Sequence, residues 1–301
     1  MDTKKLTKFL IITFASSWII QIIGMLSKNG YVYSACIGLI CILPIISVGI
    51  TAGGITTNKS KIGWGFDIGK HWRWFFASWI LPLVVIFVCC AAFFLLFPAK
   101  FDPNCGYYGS FFPEGSDLKN INPRDFVIIE MVSSWFFGAF LNIFFYFGQE
   151  AGFRGYLVPI FAEKFGYKKA VLISGLIFGA YRFPIIIFAG YEYGDKYPAL
   201  APLVYLVYAV GISVFLSYIY LKSGSIWFSA LAVGTVSAIS PAAIYFLKEE
   251  PASTLLGPTL LGLIPALLLL VLAVLLISFA DFEPYDEEEE KKWQNPFGRI
   301  R

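Results

Sequence analysis

Apolar residues run along this chain in blocks of about twenty, broken by short polar or glycine-rich stretches. A helix of that length matches the roughly 30 Å hydrocarbon layer of a bilayer. The blocks predict about eight transmembrane helices, at 6–26, 32–53, 74–97, 126–149, 170–190, 201–221, 226–247 and 255–280. The last, around Leu267 to Leu276, is the most purely apolar and is expected to face lipid on most sides. The fold class is therefore all-α, a polytopic integral membrane protein. A basic start followed by an apolar run also suits a cleaved signal peptide, with a small-residue site at Ala15–Ser17. The run continues through Trp18 to Leu26, which favours an uncleaved helix; cleavage would leave seven spans.

The stretches between the blocks suggest an organisation in three parts. Residues 1–123 hold the first three helices and their loops, 124–250 a core of helices four to seven, and 251–301 the eighth helix and an acidic tail. The segment 55–73, with Trp64 and Trp72, suits the headgroup level. Residues 98–125 carry Pro103, Gly106, Gly109, Pro113, Gly115 and Pro123 and read as an irregular external cap. Leu157 to Phe165 fits a short amphipathic helix, and the run Asp286 to Glu290 a solvated end. No internal repeat and no large soluble insert is visible.

Composition agrees with the pattern. Of 301 residues, 58% are hydrophobic and 14% charged, against about 25% charged in a soluble domain. A net charge of +3 gives no footprint for nucleic acid. Lys/Arg placement tests the topology. With both termini cytoplasmic, the inner side receives Lys4, Lys5, Lys8, Lys59, Lys61, Lys70, Arg73, Arg154, Lys164, Lys168, Lys169, Lys222, Lys291, Lys292, Arg299 and Arg301. The outer side receives Lys28, Lys100, Lys119, Arg124, Lys196 and Lys248. This bias follows the positive-inside rule and points to a multi-pass protein of the cell membrane. Cys36, Cys41, Cys89 and Cys90 lie in spans and Cys105 alone in a loop, so no disulfide framework or metal site is suggested. His71 is the sole histidine and falls in a loop; neither metal nor cofactor is expected.

Ionisable groups inside spans are costly and mark functional candidates. Glu150 and Arg154 stand at i and i+4, with the acid on the N-terminal side, and suit an ion pair. Arg182 lies thirteen residues beyond Lys169, roughly 20 Å into its span at 1.5 Å per residue, so it needs a partner. Glu130 lies in the outer part of the fourth span, and Ser229, Thr235, Ser237 and Ser240 suit close packing in the seventh.

Three strings carry a family resemblance. GQEAGFRGYL at 148–157 resembles the GEExxxRGYL motif of the CPBP family of membrane-embedded glutamic proteases. That family includes type II CAAX prenyl endopeptidases and bacteriocin-processing or immunity proteins of the Abi kind. SGLIFGAYRFPIII at 174–187 is similar to its second motif, SGLxxGxxHxPL, and LKSGSIWFSALAVGTVS at 221–237 to its third, which ends in His and, four residues on, Asn. The resemblance implies that the first Glu and second-motif His activate water, while the third-motif His and Asn stabilise the oxyanion. Registered on Arg154, those four positions hold Gln149, Arg182, Val233 and Ser237. Gly148, Glu150, Arg154, Gly155, Gly179, Pro184, Gly224, Ser225 and Trp227 look family-like.

An amide cannot act as a base, a guanidinium stays protonated, and valine offers no donor to an oxyanion. The expectation is a CAAX-protease-like protein without peptidase activity, serving as a membrane scaffold, regulator or binding subunit. Glu150 is the family-site carboxylate that remains, and an active endopeptidase using it is the enzyme alternative. A neighbouring guanidinium makes a carboxylate a weaker base; the bland reading pairs Glu150 with Arg154, and Arg182 with Glu150 or Glu130. Alternatively, Arg182 holds a ligand carboxylate or phosphate. A small-solute transporter or channel is a third class, although no matched pair of interrupted helices is visible. Expected partners are the lipid bilayer and another membrane protein or peptide.

Overall fold

The computed structural model describes residues 3–27, 29–53, 62–194, 196–251 and 253–284. Lys28, Lys59, Lys61, Lys291, Lys292, Arg299 and Arg301, and the run Asp286 to Glu290, lie outside the described residues. The helices are α1 (Thr3–Leu26), α2 (Gly30–Ala52), α3 (Ile68–Leu96), α4 (Pro123–Phe165), α5 (Tyr167–Ala180), α6 (Phe183–Ala189), α7 (Ala201–Ser223), α8 (Ile226–Ile239) and α9 (Leu263–Phe279). Short helical turns occupy the connection from 98 to 122, and an isolated antiparallel bridge joins Phe101 to Leu247.

Among the described residues, seven stretches are long and apolar enough to cross a membrane, α5 with α6 and α8 with its 3-10 extension each counting as one. The eighth expected span is shorter than the hydropathy suggests. α9 starts at Leu263, not near 255, and has 17 residues, roughly 25 Å of helix. The residues before it contain Gly257, Pro258 and Gly262 and fold back instead: Leu260 N–H donates to Ser240 Oγ at 3.1 Å, and Tyr193 OH to Leu261 O at 2.8 Å. α9 buries a stripe of Ala266, Leu269 and Ala273 and leaves Leu267, Val271, Val274 and Leu275 exposed.

The chain's two ends are marked by contacts across it. At the basic end, Ile226 N–H donates to Gly63 O at 2.9 Å and Lys222 pairs with Asp281 at 2.6 Å. Trp227 Nε1 also donates to Trp64 O there, so the described part of the 55–73 segment is pinned to the start of α8. At the loop end, Phe101 meets Leu247 and Tyr245 OH donates to Glu130 at 3.0 Å. Cys105 is fully buried in the loop, and burial pushes its thiol up to about 11.

α7 and α8 form the centre. About 72% of each apolar window is buried, against 17% for α4 and 28% for α1 and α3. Close approach relies on small residues at i and i+4, because lipid provides no hydrophobic drive between helices. Gly175 and Gly179 on α5 face α7: a Cβ would meet Val210 Cα at 3.0 Å on the first and Ala209 Cβ at 3.0 Å on the second. Gly148 and Gly152 on α4 face α2 in the same way, with Cys41 O at 2.9 Å and Pro44 Cβ at 2.4 Å from the added atom.

α4 runs unbroken through the first motif, so Leu157 to Phe165 continues it and is not a separate helix. It contains two wider π-helical turns, Ser134–Gly138 and Ala151–Leu157. Such turns disturb the hydrogen-bond ladder and recur at functional sites. Side chains from neighbours satisfy carbonyls there. Ser174 Oγ of the second motif donates to Phe153 O at 3.0 Å, and Trp79 Nε1 to Trp135 O at 3.1 Å.

Candidate functional site

The second motif does not make one continuous helix. Pro184 lacks an N–H and clashes with the carbonyl four residues back, so the helix breaks between α5 and α6. Arg182 sits at that break, with φ −101° and ψ 6°, in the bridge region where active-site residues are often found. Three bonds from other helices hold the break. Gln21 of α1 donates from Nε2 to Tyr181 O at 2.9 Å and accepts from Ile185 N–H at 3.2 Å. Tyr181 OH donates to Ile40 O at 2.5 Å. That carbonyl has no helical donor, since residue 44 of α2 is proline. One broken backbone thus repairs another.

Around Arg182 lies a cavity of about 90 Å³. Its walls are Tyr146 and Gln149 of α4, Phe178 of α5, Tyr205 and Tyr208 of α7, and Val233, Val236 and Ser237 of α8. Tyr191, Glu192, Ser240, Pro241, Thr259 and Leu261 line it from the connecting segments at the loop end. Gln149, Arg182, Val233 and Ser237, the four positions singled out from the motifs, therefore share one cavity. Arg182 Nη2 lies 3.5 Å from both Gln149 Oε1 and Cys41 Sγ. Ser237 Oγ accepts a 2.8 Å bond from Tyr146 OH.

Glu150 faces elsewhere. It is absent from the cavity lining, fully buried, and paired with Arg154 at 3.1 Å. The Arg154 guanidinium also sits 4.9 Å from the centre of the Phe178 ring. Consecutive residues on a helix point about 100° apart, so Gln149 reaches the cavity while Glu150 reaches the interior behind it. The expected pairing of Arg182 with Glu150 or Glu130 is not found: among the described residues, Arg182 forms no ion pair. Glu130 is taken by Tyr108 OH at 3.1 Å and Tyr245 OH at 3.0 Å, whose rings stack at 4.1 Å. Arg182 instead keeps to Gln149 and Cys41.

His71 stands at the start of α3, its ring 6.4 Å from that of Phe228, and does not line the cavity. Among the described residues no group of three or more His, Cys, Asp or Glu could hold a metal ion. Sequence reasoning missed Gln21, Cys41 and the tyrosines at 146, 191, 205 and 208. A lone amide in the apolar run of α1 was a usable signal for Gln21. Tyr205 and Tyr208 are three apart on α7 and so share a face, yet nothing local says which face it is.

No curated protein and no solved structure matches this chain. Residues 131–239 hold all three motifs, the break at Arg182 and most of the cavity walls. They match the family model described as type II CAAX prenyl endopeptidase Rce1-like, so this part of the chain is similar to that family.

Proposed function

We propose that this chain is a CAAX-protease-like membrane protein that has lost peptidase activity and uses the former reaction chamber to bind, as a scaffold, regulator or binding subunit. The observation that carries the reading is the cavity itself, with Gln149, Arg182, Val233 and Ser237 at the positions that carry the family's chemistry. Hydrolysis needs a group that takes a proton from water near neutral pH. Gln149 cannot accept it, and Arg182 already carries its full complement. Oxyanion stabilisation needs donors aimed at the developing charge; Val233 brings none. The core 124–250 would carry the site, with 1–123 and 251–301 as flanking helices. Charge placement supports cytoplasmic termini in the cell membrane. Partners of this kind of subunit are the bilayer and another membrane protein or peptide.

The enzyme reading gives the work to Glu150. Its burial beside Arg154 and its position outside the cavity both count against it. The test is a cleavage assay in proteoliposomes with membrane peptides, comparing the parent chain with Glu150→Gln. No product from either supports a binding role. A product that disappears in Glu150→Gln overturns it. Substrate-dependent flux through the same vesicles would instead favour a transporter or channel. A membrane pull-down comparing the parent with Arg182→Ala would show whether partners depend on the cavity.

A further inference from the structure

Arg182 is the cavity's charged centre, and its hydrogen-bonding capacity is barely used. It is 6% exposed. Its contacts with Gln149 Oε1 and Cys41 Sγ, both at 3.5 Å, involve uncharged atoms and are long for hydrogen bonds from a guanidinium. Nε has no hydrogen-bond partner within the protein. The ion pairs among the described residues engage Glu114, Glu150 and Asp281 and leave Arg182 out. A guanidinium shielded from water gains most from an anion that fills its planar fork.

The surroundings narrow the anion. Tyr191, Tyr205 and Tyr208 line the same space, and a phenolic hydroxyl can donate to an oxygen. Glu192 lines it too and contributes negative charge. One guanidinium beside one carboxylate is already balanced, so any bound anion adds net negative charge and a monoanion adds the least. A phosphate monoester, with a charge of about −1.5 to −2 at neutral pH, would meet more repulsion from Glu192 than a monocarboxylate does. The volume of about 90 Å³ admits a small group, not a folded chain. Phe178, Val233 and Val236 supply an apolar wall.

We propose that the cavity binds a monocarboxylate, with Arg182 holding the carboxyl group and the apolar wall receiving the adjoining carbon atoms. The carboxylate is that of a peptide C-terminus or of a small free acid. It enters from the loop end, where residues 191–192, 240–241, 259 and 261 line the cavity. The inference rests on the binding role proposed above and names its ligand class.

The test uses the full chain in lipid nanodiscs and isothermal titration calorimetry. The probes are acetyl-leucine as a peptide-terminus mimic, acetyl-leucinamide, butyrate and inorganic phosphate. Acetyl-leucine is expected to bind at least about tenfold more tightly than its amide, the scale of hydrogen bonds to a charged group. Binding of acetyl-leucine without butyrate assigns a peptide terminus, and comparable binding of both assigns a small free acid. Arg182→Gln should lose at least about tenfold in affinity, and Arg182→Lys should fall between it and the parent because it keeps charge without the fork. Glu192→Gln should tighten acid binding several-fold by removing a competing negative charge. If the Arg182 variants fail to fold, Glu192→Gln decides: unchanged or weaker binding overturns the proposal. It is also overturned if neither acid binds, if the amide equals the acid, or if phosphate binds more tightly than both acids. Acetyl-alanyl-leucine is incubated in parallel. Release of leucine would sink the non-hydrolytic reading alone, while calorimetry judges the carboxylate site separately.

Discussion

Replacing Gln21 by leucine removes the strap across the break at Tyr181–Arg182. The substitution is close in volume, so no large cavity opens. What changes is the pairing of two buried backbone groups, Tyr181 C=O and Ile185 N–H, which both rely on the Gln21 amide. A buried group left without its partner costs about 1–3 kcal/mol, giving roughly 2–6 kcal/mol for the pair. At about 2–4 °C per kcal/mol for large domains, the melting temperature should fall by roughly 4–24 °C. All five cysteines are buried, so a thiol-reactive dye in detergent micelles reports unfolding directly. The loss should shrink in a Pro184→Ala background, where the backbone regains an N–H and the helix can close. A Gln21→Leu protein that melts within about 2 °C of the parent would refute the strap, as would an undiminished loss beside Pro184→Ala.

Other expectations follow from the same packing. Glu150→Gln leaves Arg154 as an uncompensated buried charge and should cost about 3–5 kcal/mol, with much of it recovered in Glu150→Gln with Arg154→Met; thermal unfolding of the single and double variants checks this. Gly152→Ala places a methyl 2.4 Å from Pro44 Cβ and should destabilise by about 1–3 kcal/mol through overpacking, read on the same melting curve. At the basic end, the hydrogen bond from Lys222 holds Asp281 below its ordinary carboxylate range. Its folded value lies under its unfolded one, so the contact is fully present above the ordinary carboxylate range and is lost as pH falls through the lowered value. Asp281 is largely exposed, so salt should weaken the contact as well. A spectroscopic label on a Phe282→Cys side chain would report this as release on acidification at low salt, absent in Lys222→Met.

Much of the architecture was legible because lipid imposes one crude rule, a continuous apolar length. That rule fails at chain ends where backbone chemistry intervenes. Gly257, Pro258 and Gly262 turn the stretch before α9 back towards Ser240, although hydropathy extends the span to 255. Pro184 announces a break in plain view, yet only Gln21 and Tyr181 show how the break is tolerated so far from water. Gln149, Arg182, Val233 and Ser237 line one cavity, since spacing along three helices encodes a common wall. The tyrosines around Arg182 and its distance from both acids depend on helix rotation, which no local string specifies. Glycines in the first motif serve as flat contacts against Pro44 and Ile62, and α4 continues through them.

The different facing of Gln149 and Glu150 has a consequence for how each tolerates substitution. Neighbours in sequence, they answer to separate constraints: one borders the cavity, and the other is held in a charge pair whose loss threatens folding. Substitution at 149 can therefore accumulate without weakening the scaffold, whereas substitution at 150 is filtered by stability even where no reaction is at stake. Changes on a single helix face can thus alter what lines the cavity while the packing behind it stays intact.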